Sequence, residues 1–307
     1  MRGVFVRELI SIAGKDPRIV LLTGDLGFMV LEPFIQEFPK RFFNVGAAEQ
    51  NMVGLATGLA EAGFIPFVYS IATFACLRPY EFIRNGPILH RLPVRIIAVG
   101  DGFAYGPAGT THHALEDIAL MRVQPGITLI SPADHQQARN ALRKTWNLPG
   151  PVYYRLGKDD KTVVAGLEGR FRLGKTELCR RGKDLLFVTV GSIASEVAAA
   201  CEVLAKKGIQ SSVLVISSLN PVEKTGLSKH LSGFRLVLTV EEHYLNGGIG
   251  SLISEVVAQE SLKCRVIRCA VKNIQGGLTG SCNYLRRINN LSSEYFVKTA
   301  IKALNKI

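Results

Sequence analysis

Glu49 is the side chain in this sequence best placed to do chemistry. It stands in Val45-Gly46-Ala47-Ala48-Glu49-Gln50-Asn51-Met52, behind a short extended run at 41–45. Ahead of it, Met52, Leu55, Ala56 and Leu59 recur at helical spacing. A strand therefore turns into a helix at an acid, and Ala47, Ala48 and Gly54 leave room for a bulky group against the backbone. An unpaired buried charge is costly, so in an apolar slot such a carboxyl keeps its proton near neutral pH and can pass it to a bound ring. A first-turn glutamate that stabilises the helix N-terminus is the plainer reading of the same pattern. His112-His113 end a Gly-rich loop at 106–111. With no third ligand at metal spacing, the pair fits proton transfer or a hydrogen bond to a substrate oxygen better than a metal site. Asp25 ends a strand beside glycines, as a cleft residue or a turn former. Phe74 and Tyr80 read by default as half-buried helix packing.

The elements that hold these residues alternate. Short β-branched runs at 18–23, 64–69, 94–99 and 128–130 are separated by helical segments at 74–85 and 115–123, and 151–155 closes a first unit. Residues 157–183 are charged and weakly periodic, and read as a crossing to a second unit. There, strands at 185–190, 212–216, 236–240 and 265–267 alternate with helices at 193–207 and 250–259. The pattern predicts an α/β chain of two doubly wound, mostly parallel sheets. Ligands then bind at the C-terminal ends of the strands, where the candidate residues lie. Gly247-Gly248-Ile249-Gly250 lacks the spacing of a dinucleotide loop and reads as a tight strand-to-helix turn.

Composition narrows the function classes. The 307 residues are 47% apolar and 20% charged, enough for large cores. The net charge is +12, but the basic residues are scattered, with one Trp and no aromatic–Arg stripe. That argues against a nucleic-acid partner and fits an acidic subunit or phosphorylated substrates. The six cysteines show no CxxC pair and several lie in apolar runs, so a reducing cytoplasm is expected. Residues 1–12 lack a signal-peptide core, and no apolar run is long enough to span a membrane.

Several ordered motifs together resemble the transketolase family. Lys15-Asp16-Pro17-Arg18-Ile19-Val20 with Gly24-Asp25-Leu26-Gly27, then Gly46-Ala47-Ala48-Glu49-Gln50-Asn51-Met52, resemble its pyrimidine-binding domain. So do Gly109-Thr110-Thr111-His112-His113-Ala114-Leu115-Glu116-Asp117 and Pro132-Ala133-Asp134, while 184–307, with Glu241-Glu242-His243, resembles its C-terminal domain. The expected layout is a thiamine-diphosphate pyrimidine-binding domain at 1–160, a linker at 161–183 and a transketolase C-terminal domain at 184–307. The family's diphosphate-binding domain has no counterpart in this sequence. Gly100-Asp101-Gly102 resembles the start of that domain's motif, but no strand with the later Asn follows, so it reads as a strand-exit turn.

The resemblance implies the C-terminal subunit of a split, thiamine-diphosphate-dependent transketolase that moves a two-carbon ketol unit between sugars. It implies a separate N-terminal subunit carrying the Mg²⁺ ligands, so none are expected here, and an α2β2 assembly. Glu49 would hydrogen-bond N1′ of the aminopyrimidine, with His112 as the second catalytic residue. Phe74 would stack on the pyrimidine, Tyr80 would complete its pocket, and Asp25 and Leu26 would lie near the thiazolium. His112 and His113 would face the substrate, and Arg155 would hold the sugar phosphate. Gly106-Pro107-Ala108-Gly109 replaces the usual Gly-Glu-Asp-Gly, His113 replaces Gln, and Gly100 replaces a His, so altered sugar recognition is expected. A deoxyxylulose-phosphate synthase, a 2-oxo-acid dehydrogenase β subunit or a non-catalytic regulatory subunit are the alternatives.

Overall fold

The computed structural model describes residues 1–273 and 276–306. Its strands are β1 (Ile19–Thr23), β2 (Phe42–Asn44), β3 (Ile65–Ile71), β4 (Arg95–Val99), β5 (Thr128–Ile130) and β6 (Val152–Leu156), followed by β7 (Glu177–Arg180), β8 (Leu185–Thr189), β9 (Ser211–Val215), β10 (Ser218–Asn220), β11 (Leu236–Tyr244) and β12 (Arg265–Val271). The α-helices are α1 (Arg2–Ala13), α2 (Glu32–Glu37), α3 (Glu49–Glu61), α4 (Ala72–Cys76), α5 (Tyr80–Ile83), α6 (Asp117–Arg122) and α7 (His135–Thr145), then α8 (Ala194–Ala205), α9 (Lys224–Leu231), α10 (Ile249–Gln259), α11 (Cys282–Ile288) and α12 (Ser293–Leu304).

The strands form two sheets, ordered β10-β5-β6-β4-β3-β1-β2 and β12-β11-β8-β9-β7. Neighbouring strands are parallel except for β10 against β5 and β7 against β9. Every residue of β1, β4 and β6 is buried, as a parallel sheet covered on both faces requires. Alternation along β1 sorts its side chains. Ile19 and Leu21 pack with Phe5 and Leu9 of α1 and Leu142 of α7, whereas Val20 and Leu22 pack with Met52, Val53 and Ala56 of α3. In the second sheet Phe187, Val213 and Leu238 face α8 and α12, while Leu186, Val188 and Val237 join the core that contains α3. One apolar core thus runs through both sheets.

The fold class is the expected one, and the differences are local. The helix expected over 74–85 is broken into α4 and α5, then a π-helical turn at Arg84–Ile88 containing Pro87. The crossing segment 161–183 contains a strand, β7, which protects the edge of the second sheet. The first sheet in turn receives β10 from the second half of the chain; Ser131 N donates to Ser217 O beside it. The turn at Gly247–Gly250 is filled from within. Glu241 on β11 accepts from Ile249 N at 2.7 Å and Gly250 N at 2.8 Å, so the start of α10 already holds a carboxylate. Burial pushes that carboxyl up to about 7 against these two donors. Gly100 has φ +92, and a Cβ there would collide with the Tyr105 ring, so the exit of β4 needs glycine.

Candidate active site

Glu49 is the first residue of α3, and Ala48 before it supplies no side-chain cap. Its carboxyl points under the sheet edge, 1% exposed, where β1, β2 and β3 end. The chain leaves β1 for its outer neighbour β2 and returns to β3 on the other side, so this is a topological switch point. Ser70 Oγ on β3 donates to Glu49 Oε1 at 3.0 Å. Arg78 Nη1 donates to Oε2 at 2.7 Å. A Cβ on Gly24, just past β1, would come within 3.4 Å of Oε1, so the glycine lets β1 lie close to the acid. The slot expected to be apolar therefore holds an ion pair, which satisfies the buried charge.

Arg78 was not singled out from the sequence. Its guanidinium carbon lies 3.9 Å over the centroid of the Phe74 ring. The available signal is the four-residue spacing from Phe74, one helical turn, which any amphipathic segment produces. Phe74 on α4 also meets His112 edge-on, ring centroids 4.9 Å apart. His112 lies 6.2 Å from the Tyr105 ring, and Lys158 Nζ sits 4.2 Å over Tyr105. Glu49, Arg78, Phe74, His112, Tyr105 and Lys158 thus form one continuous row. Burial, with His113 and Arg78 nearby, pulls His112 below the usual histidine range, so the ring is neutral at pH 7. Thr111 Oγ1 bonds its Nδ1 at 3.0 Å, which leaves Nε2 for another partner.

Asp25 and Leu26 stay at the mouth. Asp25, at φ +56, accepts from Asn44 Nδ2 and donates its N–H to Asn44 Oδ1, both at 3.0 Å. Gly46 N donates to the same Asn44 oxygen, so the loops after β1 and β2 are pinned together beside Glu49. The Leu26 carbonyl accepts from Thr23 Oγ1 at 2.9 Å. Beyond it Phe28 and Met29 are exposed.

Three expected site residues are engaged elsewhere. His113 is buried; its Nε2 bonds the Gly106 carbonyl at 3.2 Å and its ring packs edge-on against Phe103. It braces the loop that carries His112. Tyr80 joins α6, donating to Leu120 O at 3.1 Å and accepting from Gln124 Nε2. None of its described hydrogen bonds or ring contacts reaches Glu49, Phe74 or His112. Arg155 is 1% exposed. Its Nε lies 2.9 Å from Asp117 Oδ2, its Nη2 donates to Ala114 O and Glu242 O, and its Nη1 lies 3.7 Å from Asp101. Burial pulls the guanidinium down, but Asp117 and Asp101 more than offset it and hold the cation above its ordinary value. A group so enclosed ties the two sheets together and cannot meet a phosphate from solution. Lys158 is the exposed cation at the end of the row.

The seam around Arg155 fixes the His112 loop. Asp101 accepts from Ser192 N and Oγ, both at 3.1 Å, and Arg286 Nε bonds Glu242 Oε1 at 2.7 Å. Gly102 and Ala114 pair across the loop, and Gly280 N donates to Gly106 O.

The chain is similar to known proteins over its whole length. Residues 1–162 match the family described as transketolase, pyrimidine binding domain, and residues 174–279 match transketolase, C-terminal domain. A putative transketolase C-terminal section from Methanocaldococcus jannaschii is 33% identical over 309 aligned positions, covering 100% of this chain and 96% of that protein. An apulose-4-phosphate transketolase subunit from Phocaeicola vulgatus is 33% identical, over 99% of this chain and 97% of its own. A solved structure described as a split-gene transketolase, inactive β4 tetramer, superposes with a TM-score of 0.89 at 34% identity, covering 99% of this chain and 98% of that one.

Proposed function

This chain belongs to the transketolase family and corresponds along its whole length to the family's C-terminal section; from that premise we propose that it is the subunit which activates thiamine diphosphate in a two-subunit ketol transferase. The observation that carries the proposal is the gathering of a buried acid, an aromatic face and a neutral imidazole where the chain leaves β2, β3 and β4 beside the end of β1. A flat ring with N–H groups on its edge fits there. The guanidinium of Arg78 already has that shape, with an N–H on Glu49 and its central carbon over the Phe74 ring. The domains at 1–160 and 184–307, joined through 161–183, are proposed as the working division of the chain.

Thiamine diphosphate, when bound, would supply a nucleophilic carbon and an electron sink for the two-carbon unit released when the ketose C2–C3 bond breaks. Glu49 would hold a proton at Oε2 toward the ring nitrogen, with Ser70 fixing the other oxygen. Phe74 would give the ring a face to stack on. His112 would use Nε2 for the sugar's hydroxyl or carbonyl oxygen, and its lowered pKa suits a group that passes hydrogen bonds without carrying charge. Asp25 and Leu26 would border the thiazolium, and Tyr80 would stiffen the pocket by tying α5 to α6.

The partner is an N-terminal, diphosphate-binding subunit with the Mg²⁺ ligands, in an α2β2 assembly in the cytoplasm. Relatives named as a C-terminal section or as one subunit of a transketolase support this. So do Leu55, Leu77, Phe82 and Leu89, apolar and exposed around α3–α5 beside the site. No helix among the described residues is long and apolar enough to cross a membrane. The test is reconstitution with that subunit, Mg²⁺ and thiamine diphosphate. Two-carbon transfer from a ketose phosphate to an aldose, with no CO₂ from pyruvate, is expected. Release of CO₂ from pyruvate would replace the proposal with the synthase alternative.

The substrate's anionic end is assigned to Lys158 in place of Arg155. Lys158→Ala is expected to raise KM for a phosphorylated sugar by about tenfold, the order of one charge-assisted hydrogen bond, and to leave kcat nearly unchanged. An unphosphorylated sugar should show no such change. Equal effects on both sugars in steady-state kinetics would remove Lys158 from this role.

A further inference from the structure

We propose that Arg78 is a built-in stand-in for the cofactor's ring: in the cofactor-free chain its guanidinium closes the ring site, and cofactor binding requires it to swing out. The proposal rests on the reading that Glu49 and Phe74 receive an aminopyrimidine, and adds a residue that competes for both contacts. Arg78 Nη1 lies 2.7 Å from Glu49 Oε2, and the same guanidinium lies 3.9 Å over the Phe74 ring. A planar group that offers N–H donors at its edge and a π-face to an aromatic is the nearest a side chain comes to an aminopyrimidine. The space beside Glu49 Oε2 and over the Phe74 ring that the guanidinium fills cannot hold both groups at once.

The arrangement explains how the free subunit keeps a carboxylate that is 1% exposed. Without a cation that charge would be stranded at a cost the fold would have to absorb. The side chain of Arg78 is 42% exposed, so its way out to solvent is open and its charge can be hydrated after it leaves. Arg78 lies where the break between α4 and α5 falls, just before Pro79, and is not locked inside a helix. Once Arg78 has gone, Glu49 has lost its cation and faces Ser70, Gly24 and whatever occupies the slot. Its carboxyl then meets a neutral ring by sharing a proton. Departure of Arg78 thus converts Glu49 from a charge partner to a proton holder only when there is a ring to hold it for. Until then Phe74 and Glu49 are covered.

The test uses the two-subunit complex stripped of cofactor, with thiamine diphosphate affinity read by titration calorimetry in Mg²⁺. Arg78→Ala is expected to tighten the affinity by about tenfold, because no charge-assisted hydrogen bond has to be broken first. It should also lower the melting temperature of the cofactor-free complex more than that of the loaded one. Arg78→Met keeps a long stem over Phe74, guards against a folding defect in the alanine variant, and should tighten binding in the same sense. Unchanged or weaker affinity in both variants would overturn the proposal. Glu49→Gln in the same assay separates the underlying reading. If it binds cofactor like the parent, the ring site itself is misassigned; if it binds weakly while the Arg78 variants do not bind more tightly, only the stand-in role falls.

Discussion

Replacing Glu49 by alanine is expected to lower turnover of the reconstituted complex by about a thousandfold, the scale of losing a positioned proton donor, while the fold survives. The reason for the second half lies in its partners. Ser70 can find water or relax, and the freed Arg78 is already part-exposed, so no buried cation is stranded when the acid goes. The stability cost should stay near one charge-assisted hydrogen bond, about 2 kcal/mol. Loss of turnover with a cooperative melting curve shifted by only a few degrees is the signature of a group kept for chemistry. Initial rates and thermal denaturation on the same preparation measure both. Turnover within a few fold of the parent would end the assignment of Glu49 as the acid.

The opposite signature is expected at Asp117. Asp117→Ala should destabilise the chain by about 3–5 kcal/mol, the cost of breaking a buried ion pair from one side. Asp117 is buried on α6 and accepts both from Arg155 Nε at 2.9 Å and from the Tyr153 hydroxyl at 3.3 Å. With it gone, the Arg155 cation keeps only Asp101, 3.7 Å away, and two carbonyls. That charge cannot swing to water as Arg78 can. A fall of roughly 10 °C in melting temperature is the expected readout for a chain of this size. Removing both partners, as in Asp117→Leu with Arg155→Met, should recover much of the loss, because the double change strands no charge. A melting temperature within a degree or two of the parent for Asp117→Ala would show that the seam does not hold the two sheets.

Those two acids show what the sequence could and could not disclose. Strand runs such as 94–99 and 185–190 were plain because both faces of a parallel sheet are buried, so apolarity is continuous and needs no phase. Glu49 was visible because it breaks the local rule at a strand-to-helix turn, where an acid among small residues stands out. His112 and Phe74 lie on separate elements, and only the order of motifs joined them. Arg78 carried no mark, since its value comes from a ring and an acid brought together by α3 and α4. The buried partners of Arg155 and His113 were not legible for one reason: polar type says that a group needs a partner, not whether that partner is solvent, a substrate or another side chain. For Arg155 the partners are Asp117, Asp101 and backbone carbonyls contributed by both halves of the chain. β7 was missed because a short edge strand with charged ends carries little periodicity.

β10 has a consequence for how the chain is made. The first sheet draws its last strand from Ser218–Asn220, well after β6 and beyond three strands, β7, β8 and β9, that belong to the other sheet. On the ribosome, the N-terminal half therefore emerges with β5 as a bare rim, and about sixty residues beyond β6 must be translated before that rim is sealed. An unpaired rim of that kind is a template for pairing with another chain until it is sealed. The two halves must then mature as one unit rather than in succession.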